Sequence, residues 1–442
     1  MAEEQLPQKT RFEEALENEV SVRRVHVDGV KFTKNDLLAH VVQQLFQART
    51  FKEILMYSQI VKSHLQALDI FKSIDFIVDS SHDFPHGYDV ILDVEESGRL
   101  HAKANSTVAL NHELQGMVTF ATRNTFGRAE TVEANISVGT NALPTYRVQF
   151  TKPLQADKDH NVQFDIHRSE LEYPWSKYNE LTHGLAVNYT LPFALGSHQF
   201  GYTVDWRQLK CLSNAVPLSV RENAGHNLKS SIRYSLLLDS RDDPVFPTHG
   251  SSFRINTELA GIGGDTKFIK SDTTLQTNVC LPVGSVLSLT ASAGLIRSLF
   301  GSKTNISDRF FLGGMQSVRG FQMYGVGPHN ENCSSGGDAF WAAGAHVFTP
   351  LPFQPGKGRF GELFRTHFFI TGGNCDALAF GSQWRNSLST FLSNARWSYG
   401  MGVALKLGLA RVEINYCIPH RAMSSDRLQS GLQIGVGLDY SC

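Results

Sequence analysis

No stretch of the 442 residues contains the roughly 18 consecutive apolar residues that a membrane-spanning helix requires, so a helical membrane protein is excluded. An excess of charge of one sign is also lacking, because 41 lysines and arginines stand against 42 aspartates and glutamates. This balance argues against nucleic acid as a partner. A transmembrane β-barrel is still allowed, since its strands alternate apolar and polar residues and leave the average hydropathy unremarkable.

Metal-ligand and redox motifs are missing as well. The six cysteines form no Cys-x-x-Cys pair and do not cluster with histidine, so we expect free thiols. The 17 histidines show no His-Glu-x-x-His or comparable spacing, so no metal is predicted. Residues 261–265 are glycine-rich but lack the lysine and the following helix of a phosphate-binding loop, which favours a hairpin turn. We therefore predict no catalytic site and no cofactor.

Residues 1–20 form an acidic tail in which six glutamates stand against Lys9 and Arg11. This composition is the opposite of an arginine-rich transit peptide, and the tail lacks the apolar core of a secretory signal. We expect any targeting information to lie inside the chain or near its C-terminus.

Residues 21–98 are predicted to form one small α+β domain with the order β-α-α-β-β. A strand over Val22–Val30 ends at an Asp28-Gly29 turn, and two stretches with helical spacing follow it. Each helix begins behind a predicted capping box, Thr33 with Asp36 and Thr50 with Glu53. Alternating residues around 74–78 and 90–94 then predict a strand pair joined by the loop at 82–87.

From about Leu100 onward the pattern changes to strict alternation, in about sixteen segments of about 9 to 11 residues. In one segment, for example, Val132 and Ile136 oppose Glu133 and Asn135. A large soluble β-sandwich is the alternative. Closure of the sheet removes its edges, and charged residues on the polar side of so many strands suit a wet lumen, so we predict a transmembrane β-barrel over 99–442.

One connection, 297–337, is much longer than the others. It contains Val318, Arg319, Gly320 and Phe321, and the glycines around the arginine exclude a helix. Glycine lets the backbone come close, so the planar guanidinium can enter a confined polar space. We predict a buried loop tip here; an ordinary glycine-rich hairpin loop is the alternative.

Three features together resemble the BamA-type outer-membrane barrel insertase superfamily. The unit at 21–98 resembles a POTRA domain, and Val318 to Phe321 resembles the loop-six motif. The run 239–250 resembles a strand-turn-strand signature of the family through Asp239, Arg241, Asp242, Pro244, Phe246, Pro247 and Gly250. The acidic N-terminus, the single POTRA-like unit and the runs Asn124–Glu130 and Trp397–Gly400 are similar to the mitochondrial branch, the core barrel subunits of the sorting and assembly machinery.

This resemblance implies a protein that folds other β-barrels into the mitochondrial outer membrane without covalent chemistry. Its implied partners are β-barrel precursors, accessory subunits and membrane lipid, and its N-terminal domain would lie in the intermembrane space. The implied route is a seam between the first strand, about 101–110, and the last, about 429–440. A protein-translocating or solute-conducting channel of the same superfamily is the alternative.

Two details refine the resemblance. Bacterial relatives place an acidic residue opposite the loop-six arginine in a Phe-x-Asp-x-Gly strand motif, whereas this chain has Thr371 there. A hydroxyl offers no charge assistance, so we expect either a weaker latch to Thr371 or a different partner for Arg319. This departure leaves open whether the chain is a main subunit or a variant copy.

The last strand resembles the mitochondrial β-signal, a pattern of polar, glycine and apolar residues. Its matching positions are Gln429, Gly431, Ile434 and Val436, and a second frame over 433–440 fits as well. Glycine on the lumen side of this strand permits close backbone approach, which a strand that exchanges partners requires.

Overall fold

The structure is a computed structural model. It describes residues 19–81, 87–108, 114–139, 144–193, 196–213, 216–301, 303–351, 360–378, 384–408 and 410–437. Most of the acidic tail, the loop at 82–86 and residues 438–442, with Tyr440 of the second β-signal frame, lie outside these ranges.

The N-terminal α+β unit is a three-stranded sheet covered by two helices. Its elements are β1 (Ser21–Asp28), α1 (Asn35–Val42), a 3₁₀ turn (Gln43–Gln47), α2 (Phe51–Ala67), β2 (Phe71–Ser80) and β3 (Gly87–Glu96). The strand order is β1-β3-β2, with β1 parallel and β2 antiparallel to β3. The predicted β-α-α-β-β order is confirmed. No helix among the described residues is both long and apolar enough to cross a membrane.

The helix starts in this unit agree only in part with the capping prediction. Thr50 Oγ1 accepts the Glu53 N–H at 3.3 Å, while Glu53 Oε2 accepts the Arg49 N–H at 2.7 Å, one residue before the predicted return bond. The capping box at Thr33 is wrong. The Thr33 hydroxyl donates instead to Glu96 Oε1 at 2.6 Å, because the end of β3 brings this carboxylate next to the segment that precedes α1.

The rest of the chain is dominated by one antiparallel sheet of sixteen strands, the number predicted. In sheet order up to the long connection they are β4 (Leu100–Val108), β5 (Leu114–Arg123), β6 (Thr131–Gly139), β7 (Thr145–Leu154), β8 (Asp157–Tyr173), β9 (Tyr178–Phe193), β10 (Gly196–Cys211), β11 (Gly225–Asp239), β12 (Gly250–Ala260), β13 (Phe268–Leu281) and β14 (Ser285–Ser298). After a two-stranded pair inside that connection, β15 (His329–Asn330) and β16 (Cys333–Ser334), come β17 (Ala339–Pro350), β18 (Phe364–Asp376), β19 (Arg396–Leu407), β20 (Ala410–Arg421) and β21 (Gly431–Gly437).

The smaller elements lie in connections: α3 (Leu218–Arg221), α4 (Trp384–Ser393) and 3₁₀ turns at Pro282–Gly284, Ile306–Asp308 and Phe360–Leu363. Strands β8 to β11 run for 15 to 17 residues, longer than the predicted segments. The sheet curls round on itself. The ion pair between Lys406 of β19 and Asp243 shows this curl, because Asp243 follows β11, which lies several strands away from β19 in the sheet. Strands β4 and β21 are the two ends of the ladder.

The alternation of the barrel strands has the predicted facing. Val118, Ile136 and Leu185 are exposed apolar residues on the outer face, where the bilayer is the matching solvent. On the inner face polar side chains contact each other, as where Thr119 Oγ1 donates to Asn135 Oδ1 at 2.5 Å. The wall is therefore apolar outside and polar inside.

Strand direction fixes which connections share an end of the barrel. The first barrel strand, β4, follows the N-terminal unit, and the turns at 124–130 and 155–156 lie at the same end. Ala129 and Ala156 of these turns pack in the core of that unit. We call this the domain end. The connection 299–338 leaves β14 at the opposite, loop end, and we call it the lumen loop.

Candidate functional site in the barrel lumen

The lumen loop is held inside the barrel at its base by Asp308. This buried carboxylate accepts two hydrogen bonds from Arg207 of β10, at 2.9 and 3.0 Å. Lys229 lies 3.5 Å from the same carboxylate, and Lys270 donates to the Asp308 carbonyl at 2.8 Å. Bidentate pairing with Arg207 and the nearby Lys229 balance the buried carboxylate, and Lys270 holds the main chain, so the loop base is fixed to strands β10, β11 and β13.

Further along, the loop folds on itself around its own apolar cluster. Gly313 and Gly314 have φ of +111° and +108°, values that favour glycine, and hydrogen bonds from Tyr324 N to the Gly313 carbonyl and from Val326 N to the Leu312 carbonyl close a hairpin. Val318 and Phe321 are fully buried in a cluster with residues of β13, β14 and β17. The two apolar residues that flank the Arg319-Gly320 pair thus anchor the loop tip.

Arg319 is buried, with 1% of its surface exposed, and its Nη2 lies 3.0 Å from Glu413 Oε2 on β20. Arg411 Nε lies 3.0 Å from Oε1 of the same carboxylate, and Asn415 Nδ2 donates to Oε2 at 2.8 Å. The Phe369 ring lies below the guanidinium, 5.1 Å away. A single buried carboxylate therefore serves two buried arginines.

Thr371 also meets Arg319, but at the main chain. Its hydroxyl accepts the Arg319 backbone N–H at 3.2 Å, and Ser398 Oγ of β19 donates to the Arg319 carbonyl. The charged partner of Arg319 is therefore Glu413 and not Thr371. Sequence reasoning missed this partner, although the alternation of β20 already placed Glu413 on the polar face.

Two histidines extend this network away from Glu413. Asn415 gives its amide N–H to Glu413, so its oxygen accepts from His367 Nδ1 at 3.0 Å. His367 Nε2 lies 3.0 Å from His346 Nδ1, and the two rings stack with their centroids 5.3 Å apart. The network that begins at Glu413 therefore continues through Asn415 to two buried histidine rings.

The strand-turn signature folds into a tight turn at the domain end, which we call the signature turn (240–249). Asp242 accepts the Thr248 N–H at 2.9 Å and the Thr248 hydroxyl at 2.6 Å, while Asp239 pairs with Arg241 at 2.7 Å. Gly250 has φ +94° and sits against the Ser240 carbonyl. Pro247 is buried in the turn and Pro244 is exposed.

This turn reaches across to the far wall. Asp243 pairs with Lys406 of β19, and the Val245 carbonyl accepts from Arg411 Nη1 at 3.3 Å. The Phe246 ring lies 6.0 Å from the ring of Phe348. Because Arg411 also pairs with Glu413, the signature turn and the loop-six motif, which enter from opposite ends of the barrel, meet at one pair of β20 side chains.

The lumen loop also binds the last strand and the residues before it. Gln429 N donates to the Gly320 carbonyl at 3.0 Å, and Phe321 forms a β-bridge with Leu428. The buried Gln433 amide accepts the Gly320 N–H at 3.1 Å and donates to the Phe321 carbonyl at 3.3 Å. The loop tip and the start of β21 are therefore held together.

The glycines of the last strand have different surroundings. A Cβ added to Gly435 would lie 3.0 Å from Met315 Cβ, so the missing side chain leaves room for the lumen loop. Gly431 has φ +97° and faces open space, so its backbone conformation is what favours glycine. Ile434 is 64% exposed on the outer face. The remaining β-signal position, Val436, pairs with Val412 of β20.

The described residues contain no group of three or more histidine, cysteine, aspartate or glutamate side chains that could hold a metal ion. The five described cysteines are free thiols. The arrangement is thus a set of buried ion pairs and hydrogen bonds that brace a loop against a barrel wall.

Comparisons with known proteins agree with this geometry. The Omp85 superfamily domain matches residues 124–440. The sorting and assembly machinery component 50 homolog of Xenopus tropicalis is 39% identical over 440 residues, 98% of this chain and 93% of that protein. The human homolog is 38% identical over 97% of this chain and 92% of its own length. A SAM50-like protein of Schizosaccharomyces pombe is 30% identical, with 95% and 91% covered.

Among solved structures, BamA from Haemophilus ducreyi lacking POTRA domains 1–3 aligns with a TM-score of 0.76 at 16% identity, over 94% of this chain and 84% of that one. CdiB from Acinetobacter baumannii aligns with a TM-score of 0.51 at 11% identity, over 95% and 73%. These two likenesses concern the fold. Together with the sequence matches over nearly the whole chain, they show that this protein belongs to the Omp85 superfamily and, within it, to the family of the sorting and assembly machinery component 50 homologs.

Proposed function

We propose that this protein inserts and folds β-barrel precursors into the mitochondrial outer membrane through a lateral seam between β4 and β21. The observation that carries the proposal is the position of the braced lumen loop. Its tip is bonded to β21, one end of the sheet, through Gly320, Phe321 and Gln433. A loop that only narrowed a pore would not need to hold the terminal strand.

The chemistry of the seam is backbone hydrogen bonding. A strand at the end of a sheet presents a row of N–H and C=O groups that can pair with an incoming strand. In a bilayer each unpaired backbone group is costly, so a precursor strand gains by pairing at the seam before it leaves water. No covalent step is required, and β-barrel precursors are the substrates.

Topology follows from the two ends of the barrel. The N-terminal α+β unit lies at the domain end, and we place this end in the intermembrane space and the loop end toward the cytosol. Membrane lipid surrounds the apolar outer face, and accessory subunits of the machinery are further partners. An N-terminal tag should resist protease in intact mitochondria and become sensitive once the outer membrane is ruptured; cleavage in intact mitochondria would contradict the topology.

A channel is the second candidate, because the lumen wall is polar and charged. A cavity of about 410 Å³ is lined there by Arg233, Glu258, Lys270 and Asp272, among others. The lumen loop opposes free passage, since it is fixed at Asp308 and again at Arg319. Planar-bilayer recordings separate the two: an insertase with a braced loop gives little steady conductance, whereas a solute pore conducts continuously.

A reversible lock on the seam tests the proposal. Cysteines at Ala104 of β4 and Ile434 of β21 occupy outward positions on the two end strands. In a background with Cys280 replaced by serine, closing the disulfide should stop precursor insertion and reduction should restore it. Each single-cysteine variant is the matched control. Undiminished insertion with the lock demonstrably closed would exclude the seam as the route.

A further inference from the structure

The turn at 124–130, which we call the rim turn, fixes the N-terminal unit to the barrel. Asn124 Nδ2 donates to Thr33 Oγ1 at 2.8 Å, and Arg128 Nε pairs with Asp36 at 2.7 Å. The Gly127 carbonyl accepts the Lys34 N–H at 2.8 Å. The rim turn is one of the two runs that resemble the mitochondrial branch, and these contacts give it a structural role.

Glu96 shapes the other side of the same junction. Its carboxylate accepts the Phe32 N–H, the Thr33 N–H and the Thr33 hydroxyl, at 2.6 to 3.1 Å. Burial works to raise the pKa of Glu96, but these hydrogen bonds outweigh burial and lower it. Arg123, at the end of β5, also pairs with Asp69 of the N-terminal unit. The junction is therefore held on both sides and its shape is preformed.

Between these contacts lies an open groove of about 740 Å³, the junction groove. It is lined by the segment before α1 and by the connection from β3 to β4, including Lys31, Phe32, Gly98, Arg99 and Leu100. Two apolar side chains stand exposed in it, Phe32 at 54% and Leu100 at 81%. Phe32, whose ring also packs under the Arg99 guanidinium at 4.9 Å, and Leu100 give the groove an apolar surface at the start of β4.

The direction of β4 determines which part of a paired precursor lies at the junction groove. Leu100 is the first residue of β4, whose outer edge is one end of the sheet. A strand that pairs antiparallel with that edge runs toward the domain end, as β21 does, and finishes beside Leu100. The residues that follow such a strand in the precursor therefore lie at the junction groove. The groove is adjacent to the end of the β4 edge at which the precursor strand pairs.

We propose that the junction groove binds the extended segment immediately C-terminal to a precursor strand paired with β4, taking its apolar side chains against Phe32 and Leu100. This inference rests on the proposed function and names the part of the precursor that the N-terminal unit receives. Arg99 and Glu96 are already engaged within the protein, Arg99 with the Thr125 carbonyl at 2.8 Å, so apolar contact dominates recognition.

Gly98 provides a way to close the groove without disturbing the fold. A Cβ added to it meets no atom within 4 Å, and its φ lies outside the range that favours glycine. Gly98→Trp should fill the groove and Gly98→Ala should leave it open. Gly116→Trp is the matched control, because Gly116 on β5 also faces open space with an ordinary φ.

The experiment uses the full chain with a photoreactive residue in place of Leu100 and an arrested precursor that continues for several residues beyond its last strand. We expect crosslinks to that trailing segment, reduced about tenfold by Gly98→Trp, or about 1.4 kcal/mol of binding, because the indole occupies the space that the bound side chain would take. Gly98→Ala and Gly116→Trp should leave the yield unchanged. If Gly98→Trp fails to fold, Phe32→Ser read with the same probe should give the same loss.

A second probe separates this inference from the proposed function. A cysteine at Ala104 reports pairing of the precursor with β4 itself. If the Ala104 disulfide forms while the Leu100 probe labels only lipid or water, the junction groove does not bind the trailing segment and the inference is overturned. If the Ala104 disulfide does not form either, the seam has failed. Trailing-segment crosslinks that persist unchanged in Gly98→Trp would also overturn the inference.

Discussion

Replacing Glu413 by glutamine tests the brace in the lumen at its most buried charge. Glu413 has no exposed surface and lies 3.0 Å from both Arg319 and Arg411. Glutamine keeps the shape of the side chain but removes its charge, and its amide N–H₂ group replaces one acceptor by a donor. The substitution leaves two buried guanidinium groups without their shared counter-charge.

Removing one member of a buried ion pair destabilises a protein by about 3 to 5 kcal/mol. At about 1.4 kcal/mol per factor of ten, this shifts the equilibrium between bound and released loop tip by about two to three and a half orders of magnitude. Asp308 still holds the base of the lumen loop, so we expect the tip to be released while the sixteen-stranded sheet remains.

Limited trypsin cleavage of the protein refolded in lipid vesicles measures this release, since Arg319 becomes a cleavage site only when the tip leaves its pocket. Urea unfolding of the same sample gives the loss in free energy. Glu133→Gln on the lumen face of β6 is the matched control. Arg319→Met combined with Glu413→Gln should be less harmful than the sum of the two single changes. Cleavage and unfolding midpoints of Glu413→Gln that equal those of Glu133→Gln would refute the brace.

Three further outcomes are expected. Gln433→Leu should leave the Gly320 N–H and the Phe321 carbonyl unsatisfied, at about 1 to 3 kcal/mol per buried group, and accelerate proteolysis of the lumen loop; an unchanged rate would show that the amide does not hold it. Gly435→Leu should displace the loop by contact with Met315, and Met315→Ala should restore trypsin resistance, whereas equal sensitivity of single and double variants would contradict the contact. Burial works to raise the pKa of Asp242, but hydrogen bonds from Thr248 and His249 outweigh it and lower the pKa from 3.8 to about 2. Asp242 therefore contributes stability above pH 4 that is lost as pH falls toward 2, and urea midpoints at pH 5 and pH 3 should differ more in the wild type than in Asp242→Asn.

Alternation along the chain made the barrel predictable. A period of two is a local property, so the facing of Val132, Glu133 and their equivalents is visible in the sequence without knowing which strands pair. The lengths of β8 to β11 were underestimated because no separate sequence pattern marks where these strands end.

The partners of Arg319 were beyond sequence reasoning for a different reason. Glu413 lies 94 residues away in the chain, and only the curl of the sheet brings β20 under the lumen loop. The motif identified the arginine and the strand of Thr371, yet no spacing rule indicates that the acid stands two strands further on. Gly435 is a similar case, because the residue that needs its missing side chain is Met315 in a distant segment.

Local chemistry also gave one wrong prediction, the capping box at Thr33. A threonine followed three residues later by an acid fits the pattern, but the tertiary contact with Glu96 takes the hydroxyl first. Thr50, which has no such competitor, caps its helix as predicted. Competition of this kind is decided by long-range packing.

Disulfide crosslinking of an arrested precursor to the barrel wall tests the central claim most directly. The precursor carries one cysteine in its last strand, and the wall carries one at Ala104 of β4, at Ile434 of β21 or at Tyr202, an outward control position on β10. We expect the disulfide at Ala104, because the last strand of the precursor pairs with β4, a weaker one at Ile434 and none at Tyr202. Equal yields at all three positions, or none at Ala104, would contradict insertion through the seam.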